Sequence, residues 1–286
     1  MANLKEIRNR IVSVSSTMQI TSAMKMVSAA KLKKAQDAIT AMRPYANKLS
    51  ELLQNFSGSI DGETGSKYTD ERDVKNVLIV AITSNRGLCG AFNSNIIKSC
   101  LAMQKEHYAG KQVDFMTIGK KAHDLIGKKH KVVSDHSHIY DALNFNNSAE
   151  IAEELMQLYT ESSYDKIEIV YNKFKNAATQ IVTTEQFLPI VPMEQDSNTS
   201  ADYIFEPAKE DIVEQLIPKS LKSQLFKAIR DSFASEHGAR MTAMHKATDN
   251  ATELRDQLKL TYNQARQAAI TNEILEIVGG AEALNN

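Results

Sequence analysis

The stretch LKEIRNRIVSVSSTM, residues 4–18, places apolar side chains in alternating steps of three and four residues. The residues that carry this spacing are Leu4, Ile7, Ile11, Val14 and Met18. Such spacing is typical of the buried seam of a supercoiled helix, because it keeps the apolar side chains on one side. Glycine is absent from residues 1–57, and the first proline is Pro44. The sequence therefore predicts one helix from residue 3 to about 56, kinked or locally broken after Arg43.

The same helix carries a second apolar series in a shifted frame, formed by Ile20, Met24 and Val27. A shift of this kind is expected where a helix changes partners along its length. Because Met24 lies on this series and Met26 does not, we expect Met26 to be the more exposed of the two.

A second long helix is predicted from about residue 209, and more firmly from Lys219, to about Val278. Residues 219–278 contain no proline and a single glycine, Gly238. The predicted seam of this helix is Ala247, Ala251, Leu254, Leu258, Thr261, Ala265, Ala268, Asn272 and Leu275. Because a long helix is marginal in water without a partner, we expect the two terminal helices to pair as an antiparallel coiled coil.

The middle of the chain has a different pattern. Apolar, β-branched runs occur at 76–83, 113–118, 131–134, 166–171 and 179–187, with helical patterns between the first four. This alternation predicts a doubly wound, mostly parallel sheet, and the short gap 172–178 predicts an antiparallel hairpin at one edge. The fold class is therefore α/β. The predicted parts are a coiled coil of residues 1–56 and 209–286, an inserted α/β domain of residues 75–187, and linkers at 57–74 and 188–208.

Composition excludes several classes of protein. The 286-residue chain has 34 basic and 35 acidic residues, whereas nucleic-acid-binding domains are usually strongly basic. Two cysteines are too few for a disulfide scaffold or a four-cysteine zinc site. The apolar run at 77–82 is far shorter than the ~20 residues of a membrane span, and the N-terminus has no apolar signal-peptide core. We expect a soluble protein of a reducing compartment, most simply a bacterial cytoplasm.

Two surfaces suggest partners. The N-terminal helix is strongly basic, either as a solvated face or as a surface complementary to an acidic protein. Near the C-terminus, apolar residues lie off the predicted seam: Ile270, Ile274, Ile277 and Val278. They form either an uncovered interface or a patch covered by a fold-back onto the other helix.

The sequence gives only weak signals for a phosphate-binding, metal-binding or nucleophilic site. The loop of residues 84–93 follows the first strand, where doubly wound folds bind phosphates, but its Gly-x-x-Gly spacing matches no nucleotide motif. A structural turn is the favoured interpretation. The histidines His123, His130, His136 and His138 lack accompanying cysteines or regularly spaced carboxylates, which disfavours a metal site. Cys89 has no evident histidine partner that would make it a nucleophile.

Several segments closely resemble the gamma subunit of the F-type rotary ATP synthase. They are LKEIRNRI at residues 4–11, MQITSAMKMV at 18–27, SNRGLCG at 84–90, ARMTAM at 239–244, ATDNA at 247–251 and YNQARQAAITNEILEIVGGA at 262–281. These matches are spread over the whole chain. Two departures, Asn85 in place of an aspartate and Ala91-Phe92 in place of glycine-leucine, leave the local packing and hydrogen bonding of the loop open.

The resemblance implies a central rotor shaft within a ring of three alpha and three beta subunits. The globular part would then sit with epsilon on the membrane-embedded c-ring. It further implies that proton-driven rotation is coupled to ATP synthesis and the reverse, that the shaft regulates ATPase activity and proton flow, and that catalysis belongs to other subunits. No cofactor, catalytic residue or metal ligand of this chain is implied. The implied place is the cytoplasmic face of the bacterial inner membrane.

Particular positions acquire roles by the same resemblance. Residues implied to contact the alpha/beta ring are Met24, Lys25, Arg240, Arg266, Gln267, Thr271, Glu273 and Glu276. Residues implied to contact the c-ring or epsilon are Arg43, Tyr45, Tyr203, Phe205 and Glu206. The alternatives are a non-catalytic coiled-coil adaptor with an inert globular head, and a nucleotide-dependent enzyme that uses the loop at Gly87–Gly90.

Overall fold

The computed structural model describes residues 4–57, 67–69, 72–190 and 209–285. Its helices are α1 (Leu4–Ser57), α2 (Phe92–Glu106), α3 (Lys120–Ile126), α4 (Phe145–Thr160) and α5 (Lys209–Asn285), with a short 3-10 helix at Ser137–Asp141. Its strands are β1 (Asn76–Ile82), β2 (Gln112–Ile118), β3 (Val132–Asp135), β4 (Lys166–Phe174) and β5 (Gln180–Leu188). Every predicted strand is present, and the two long terminal helices are confirmed.

The five strands form one sheet in the order β3-β2-β1-β4-β5. β1 pairs in parallel with β2 and β4, and β2 pairs in parallel with β3. β5 pairs antiparallel with β4, which confirms the predicted hairpin edge. In a parallel sheet the loops that follow β1, β2 and β3 gather at one edge, called here the carboxyl edge.

Apolar side chains cover both faces of the sheet. On one face Leu78, Val80 and Ile82 of β1 pack with residues of α4 and of the first part of α5. On the other face Val77 and Ile79 pack with residues of α2 and α3. A strand covered on both sides reads as a continuous apolar run, which is why NVLIVAI shows no alternation.

The chain divides into two compact units, Met1–Ser28 with Met241–Asn286, and Ala29–Arg240. We call them the terminal unit and the central unit. The division differs from the predicted one, because Ile217, Leu221, Leu225 and Ile229 of α5 belong to the core of the sheet. The early part of α5 is therefore a layer of the α/β domain.

Within the terminal unit, α1 and α5 run antiparallel. The Thr248 hydroxyl donates to the Thr21 hydroxyl at 2.8 Å, and Lys25 Nζ lies 3.4 Å from His245 Nδ1. Arg255 Nη1 lies 3.4 Å from the sulfur of Met18. As residue numbers rise along α1 they fall along α5, so the predicted antiparallel pairing is confirmed.

The predicted frame shift in α1 is wrong. Ile20 and Val27 are 60% and 56% exposed, whereas Thr21 and Ser28 are buried. Both hydroxyls donate to the carbonyl oxygens of their own helix, Thr21 to Met18 and Ser28 to Met24. The seam therefore continues without a shift through small polar residues, because their hydroxyls are satisfied locally and need no water.

The predicted seam of α5 is only partly right. Ala251 is buried, but Leu254 is 47% exposed and Thr261 is also exposed. The observed seam passes instead through Thr248 and Arg255, which are half-buried. A long arginine side chain can cover apolar surface with its stem while its charged end remains hydrated, so charge alone did not exclude Arg255 from the seam.

The predicted local break at Arg43 does not occur, because α1 continues through Pro44 to Ser57. A proline removes one helical hydrogen bond, and the turns on both sides keep theirs. α5 likewise continues through Pro218 and extends past the predicted end to Asn285.

Candidate partner-binding surface

The last turns of α5 expose a group of large apolar side chains. Their exposed fractions are 49% for Ile270, 55% for Ile274, 62% for Leu275, 66% for Ile277 and 50% for Val278. We call these five residues the apolar end. An apolar group of this kind marks a protein interface when nothing in its own chain covers it.

The pairing of the two helices explains why the apolar end is uncovered. Met18 lies opposite Arg255, and both helices rise by the same ~1.5 Å per residue. Together with the contacts of Thr21 and Lys25, this places Leu4, where the described part of α1 begins, opposite about residues 265–269. Among the described residues no fold-back covers the apolar end, and all residues from 266 to 281 are exposed. The interpretation as an uncovered surface is confirmed for this part of the chain.

Five predicted partner-binding residues lie on the same end of α5. These residues, all exposed, are Arg266, Gln267, Thr271, Glu273 and Glu276. Their proximity follows from a single continuous helix. The structure thus places charged and amide groups around the apolar end, an arrangement typical of an interface with a polar rim.

Met24 and Lys25 lie on α1 of the terminal unit. Met24 is half-buried and Met26 is 65% exposed, so the predicted difference between the two methionines is confirmed. Lys25 is half-buried, with its amine beside His245, and His245 Nδ1 lies 3.4 Å from a carboxylate oxygen of Asp249. These two residues are separated in sequence from the apolar end and form a second part of the predicted interface.

Arg240 is in a different environment from the other predicted residues. Its side chain is 9% exposed and forms an ion pair with Glu236 at 2.7 Å. It also donates to the backbone carbonyl oxygens of Arg86 and Gly87, at distances from 3.2 to 3.4 Å. The guanidinium therefore binds groups of its own central unit, and the structure does not bring Arg240 to the exposed surface.

The predicted c-ring and epsilon residues are only partly visible. Tyr45 is 59% exposed on α1. The side chain of Arg43 lies outside the described set, as do Tyr203, Phe205 and Glu206. This group stays a prediction.

The loop at residues 84–93 uses its polar groups internally. Ser84 Oγ donates to the carbonyl oxygen of Arg86 at 2.6 Å, and Asn93 accepts from the Ser84 amide and donates to its hydroxyl. Leu88 and Gly90 have positive φ angles of 62° and 61°. These bonds support the interpretation as a structural turn, because the Ser84 hydroxyl and the Asn93 side chain are engaged within the loop itself.

Asn85 has a clear structural role. Its side-chain amide donates to the carbonyl oxygen of Ser137 at 2.9 Å, and its oxygen accepts from the Lys120 amide at 2.9 Å. An aspartate could only accept. Asparagine therefore joins the loop after β1 to the segments that follow β2 and β3.

Of the candidate histidines, His136 contacts a carboxylate. His136 Nε2 lies 3.0 Å from Glu154, and burial lowers the pKa of His136. The described residues contain no group of three or more His, Cys, Asp or Glu side chains arranged to hold a metal ion. Cys89 and Cys100 are both buried free thiols, and burial raises the pKa of each.

None of the described helices combines the length and apolarity needed to cross a membrane. Paired terminal helices, an inserted α/β domain and an uncovered apolar helix end define a coiled-coil protein with an inserted α/β domain. Sequence reasoning missed Ser235, Glu236 and the buried role of Arg240. The sequence contained one signal for this region, Gly238, because an isolated glycine in a long helix suggests that another part of the chain packs closely against the helix.

Comparison with known proteins identifies the family. A family model described as ATP synthase matches residues 3–284. The ATP synthase gamma chain of Flavobacterium johnsoniae is 72% identical over 286 residues, covering all of both chains. The chain belongs to this ATP synthase family, and this relative is a gamma chain.

Solved structures share the fold. One is a chain of the Euglena gracilis mitochondrial ATP synthase, in an assembly of OSCP, F1 and c-ring, with a TM-score of 0.70 and 22% identity. The alignment covers 98% of this chain and 94% of that one. Another is a central stalk and c-ring structure from Tetrahymena thermophila, with a TM-score of 0.59, 26% identity and coverage of 80% and 99%.

Proposed function

We propose that this chain is the central rotor shaft of an F-type ATP synthase. Rotation of the c-ring, driven by protons, turns the shaft, and the shaft mechanically cycles the catalytic sites of the alpha/beta ring. ATP hydrolysis drives the reverse rotation, so the shaft also governs ATPase activity and proton flow. The observation that carries the proposal is the uncovered apolar end of α5 in a full-length relative of gamma chains.

The physical properties of the terminal unit suit this task. Torque transmission requires stiffness, and two paired helices resist bending better than one. It also requires that the end slip against its surroundings, and apolar side chains provide contact without fixed ion pairs because the hydrophobic effect is non-directional. A two-helix shaft cannot match three equivalent subunits at once, so it imposes a different state on each.

The proposed partners are three alpha and three beta subunits around the terminal unit, with epsilon and the c-ring at the α/β domain. The proposed location is peripheral, at the cytoplasmic face of the bacterial inner membrane. We further propose that the chain has no catalytic site of its own and acts as a non-catalytic subunit. The internal hydrogen bonding of the loop at 84–93 supports this and disfavours the nucleotide-dependent enzyme.

A rotation assay tests the proposal directly. The chain is mixed with alpha and beta subunits of the same source, and a bead is attached to the α/β domain. Under ATP we expect stepwise rotation of the bead in three equivalent steps per turn. Assembly of an active ATPase whose bead stays still would contradict the shaft and favour the adaptor alternative.

Met24→Glu tests the proposed contact of α1 with an acidic lever of beta. A new carboxylate about 4 Å from a like charge costs about 1–4 kcal/mol, depending on hydration. We expect ATP-driven proton pumping per ATP hydrolysed to fall in reconstituted vesicles. Met26→Glu is the matched control, because Met26 is adjacent in sequence and already 65% exposed. Unchanged proton pumping in the Met24 variant would show that Met24 does not lie in the proposed interface.

A further inference from the structure

One short stretch of α5 is attached to the carboxyl edge of the sheet by directional contacts. We call residues Phe233–Arg240 the anchor segment. It meets three separate parts of the central unit: the loop after β1, strand β4 with the β4–β5 turn, and the 3-10 helix. Arg240 is also the last residue of the central unit, after which α5 continues into the terminal unit.

Arg240 forms the contact with the loop after β1. Its guanidinium donates to the carbonyl oxygens of Arg86 and Gly87 and pairs with Glu236 one turn earlier. Burial raises the pKa of Glu236, and the charge of Arg240 opposes that rise. Burial together with the positive charges of Arg240 and Lys31 lowers the pKa of His237 to about 3, so His237 is neutral and its Nδ1, 3.4 Å away, can accept from Arg240.

Three other residues of the anchor segment reach the other elements. The Ser235 hydroxyl is buried and donates to the carbonyl oxygen of Asn172 at 2.9 Å. A Cβ built on Gly238 would lie only 3.1 Å from the carbonyl oxygen of Ala177, so glycine permits the close approach of α5 to the β4–β5 turn. Phe233 stacks on Tyr140 of the 3-10 helix with ring centroids 6.1 Å apart.

The part of α5 before the anchor segment is held mainly by apolar packing, with separate polar contacts of Lys222 with Glu153, Gln224 with the carbonyl oxygen of Gln186 and Arg230 with that of Leu143. Leu221, Leu225 and Ile229 pack into the apolar core of the sheet. Apolar burial opposes separation of the helix from the sheet, but it is non-directional and does not fix one axial position. Hydrogen bonds from the Arg240 guanidinium to carbonyl groups instead depend on distance and angle. Sliding or turning of α5 by one residue would break them.

We propose that the anchor segment is the junction through which torque passes from the α/β domain to α5, and that Arg240 is its positioning residue. The inference rests on the proposed rotor function. Arg240 fixes α5 to the backbone of the loop after β1, so rotation of the domain turns the helix without slip. Its role is inside the chain and involves no contact with the alpha/beta ring.

The chain contains a built-in reporter of this junction. Cys89 belongs to the loop that Arg240 holds and is 1% exposed, while Cys100 on α2 is fully buried in the sheet core. These are the only two cysteines. Burial raises the pKa of the Cys89 thiol, and Arg240 opposes that rise. The charge of Glu236 raises the same pKa, so removing both members of the pair has opposing effects on the thiol, and Arg240→Lys keeps the positive charge. A large gain in the labelling rate of Cys89 therefore reports greater exposure.

The test compares three variants of the full chain by maleimide labelling and by coupling in reconstituted vesicles. Glu236→Gln/Arg240→Gln removes the pair without leaving a buried charge, and Arg240→Lys keeps the charge but loses the forked contacts. Arg230→Gln is the matched control, since Arg230 lies earlier on the same helix, is half-buried and donates to one backbone carbonyl, that of Leu143. Coupling is the number of protons pumped per ATP hydrolysed.

For both anchor variants we expect Cys89 to be labelled at least about tenfold faster. This factor corresponds to the free energy lost when hydrogen bonds to a charged group are removed. We also expect coupling to fall by about half or more while ATP hydrolysis and Cys100 labelling stay unchanged. The control should leave Cys89 protected and coupling intact. The proposal is overturned if Cys89 labelling does not change, or if Cys89 becomes exposed while coupling stays intact. It is also overturned if Cys100 becomes exposed to the same extent as Cys89. Failure of the unmodified chain to restore any coupling would instead reject the rotor function, and Cys89 labelling would still decide whether Arg240 holds the loop.

Discussion

Gly119→Ala is expected to lower the free energy of unfolding of the α/β domain by at least about 3 kcal/mol. A Cβ at this position would lie 2.2 Å from the carbonyl oxygen of Thr83, and the φ angle of Gly119 is +116°. Thr83 cannot move away, because its amide donates to Ile118 and its hydroxyl accepts from the Ala122 amide. The collision and the backbone strain therefore act together.

Two other glycines provide graded controls. A Cβ at Gly87 or Gly90 meets nothing within 4 Å, and of these two only Gly90 has a positive φ. Gly90→Ala should cost about 1–2 kcal/mol from its left-handed backbone alone, and Gly87→Ala should stay within about 0.5 kcal/mol of the unmodified chain. Unfolding is followed in urea by labelling of Cys100, which is buried in the domain core. Equal stability of the Gly119 and Gly87 variants would show that the approach of Gly119 to Thr83 is not rigid.

The double variant Ile274→Ser/Ile277→Ser is expected to weaken assembly with the alpha/beta ring by roughly a hundredfold. Each side chain is more than half exposed in the free chain, so its burial can occur only on binding. Loss of an apolar anchor at the centre of an interface costs about 1.4 kcal/mol or more per residue. The unfolding of the chain itself should not change, because neither residue packs in its core.

Leu260→Ser is the matched control for the apolar end. Leu260 is 65% exposed, which is close to the 66% of Ile277, but it lies where α5 is still paired with α1. Affinity for the alpha/beta ring is measured by titrating labelled chain into the assembled ring. Equal losses from Leu260→Ser and from the double variant would show that general apolarity of α5, and not its uncovered end, determines binding.

Several elements were predictable because local pattern and final environment agree. The β-branched runs and their spacing predicted all five strands and the antiparallel edge. The absence of glycine and proline predicted two long helices, and steps of three and four predicted that they pair. The exposed apolar end was also indicated, because Ile270, Ile274 and Ile277 lie off the predicted seam, which passes through Leu275.

The seams were only partly predictable, because a seam position is defined by burial and not by residue type. Thr21 and Ser28 are polar in composition but buried, since their hydroxyls bond to carbonyl oxygens one turn back. Ile20 and Val27 are apolar but exposed. A prediction based on apolar residues alone therefore assigned the exposed face of α1, with Ile20 and Val27, as the buried one.

By itself the sequence determined the fold class, the two terminal helices and the uncovered apolar end, because each depends on residues that are near one another in the chain. Only the tertiary structure decided where Arg240 acts. Its partners at Arg86 and Gly87 are backbone carbonyl groups about 150 residues away. Because every residue has a backbone carbonyl, the sequence does not indicate which of them accept a hydrogen bond from Arg240. Scarce glycine predicted stiff helices, but the purpose of Gly238 became clear only when α5 was seen against the backbone of Ala177.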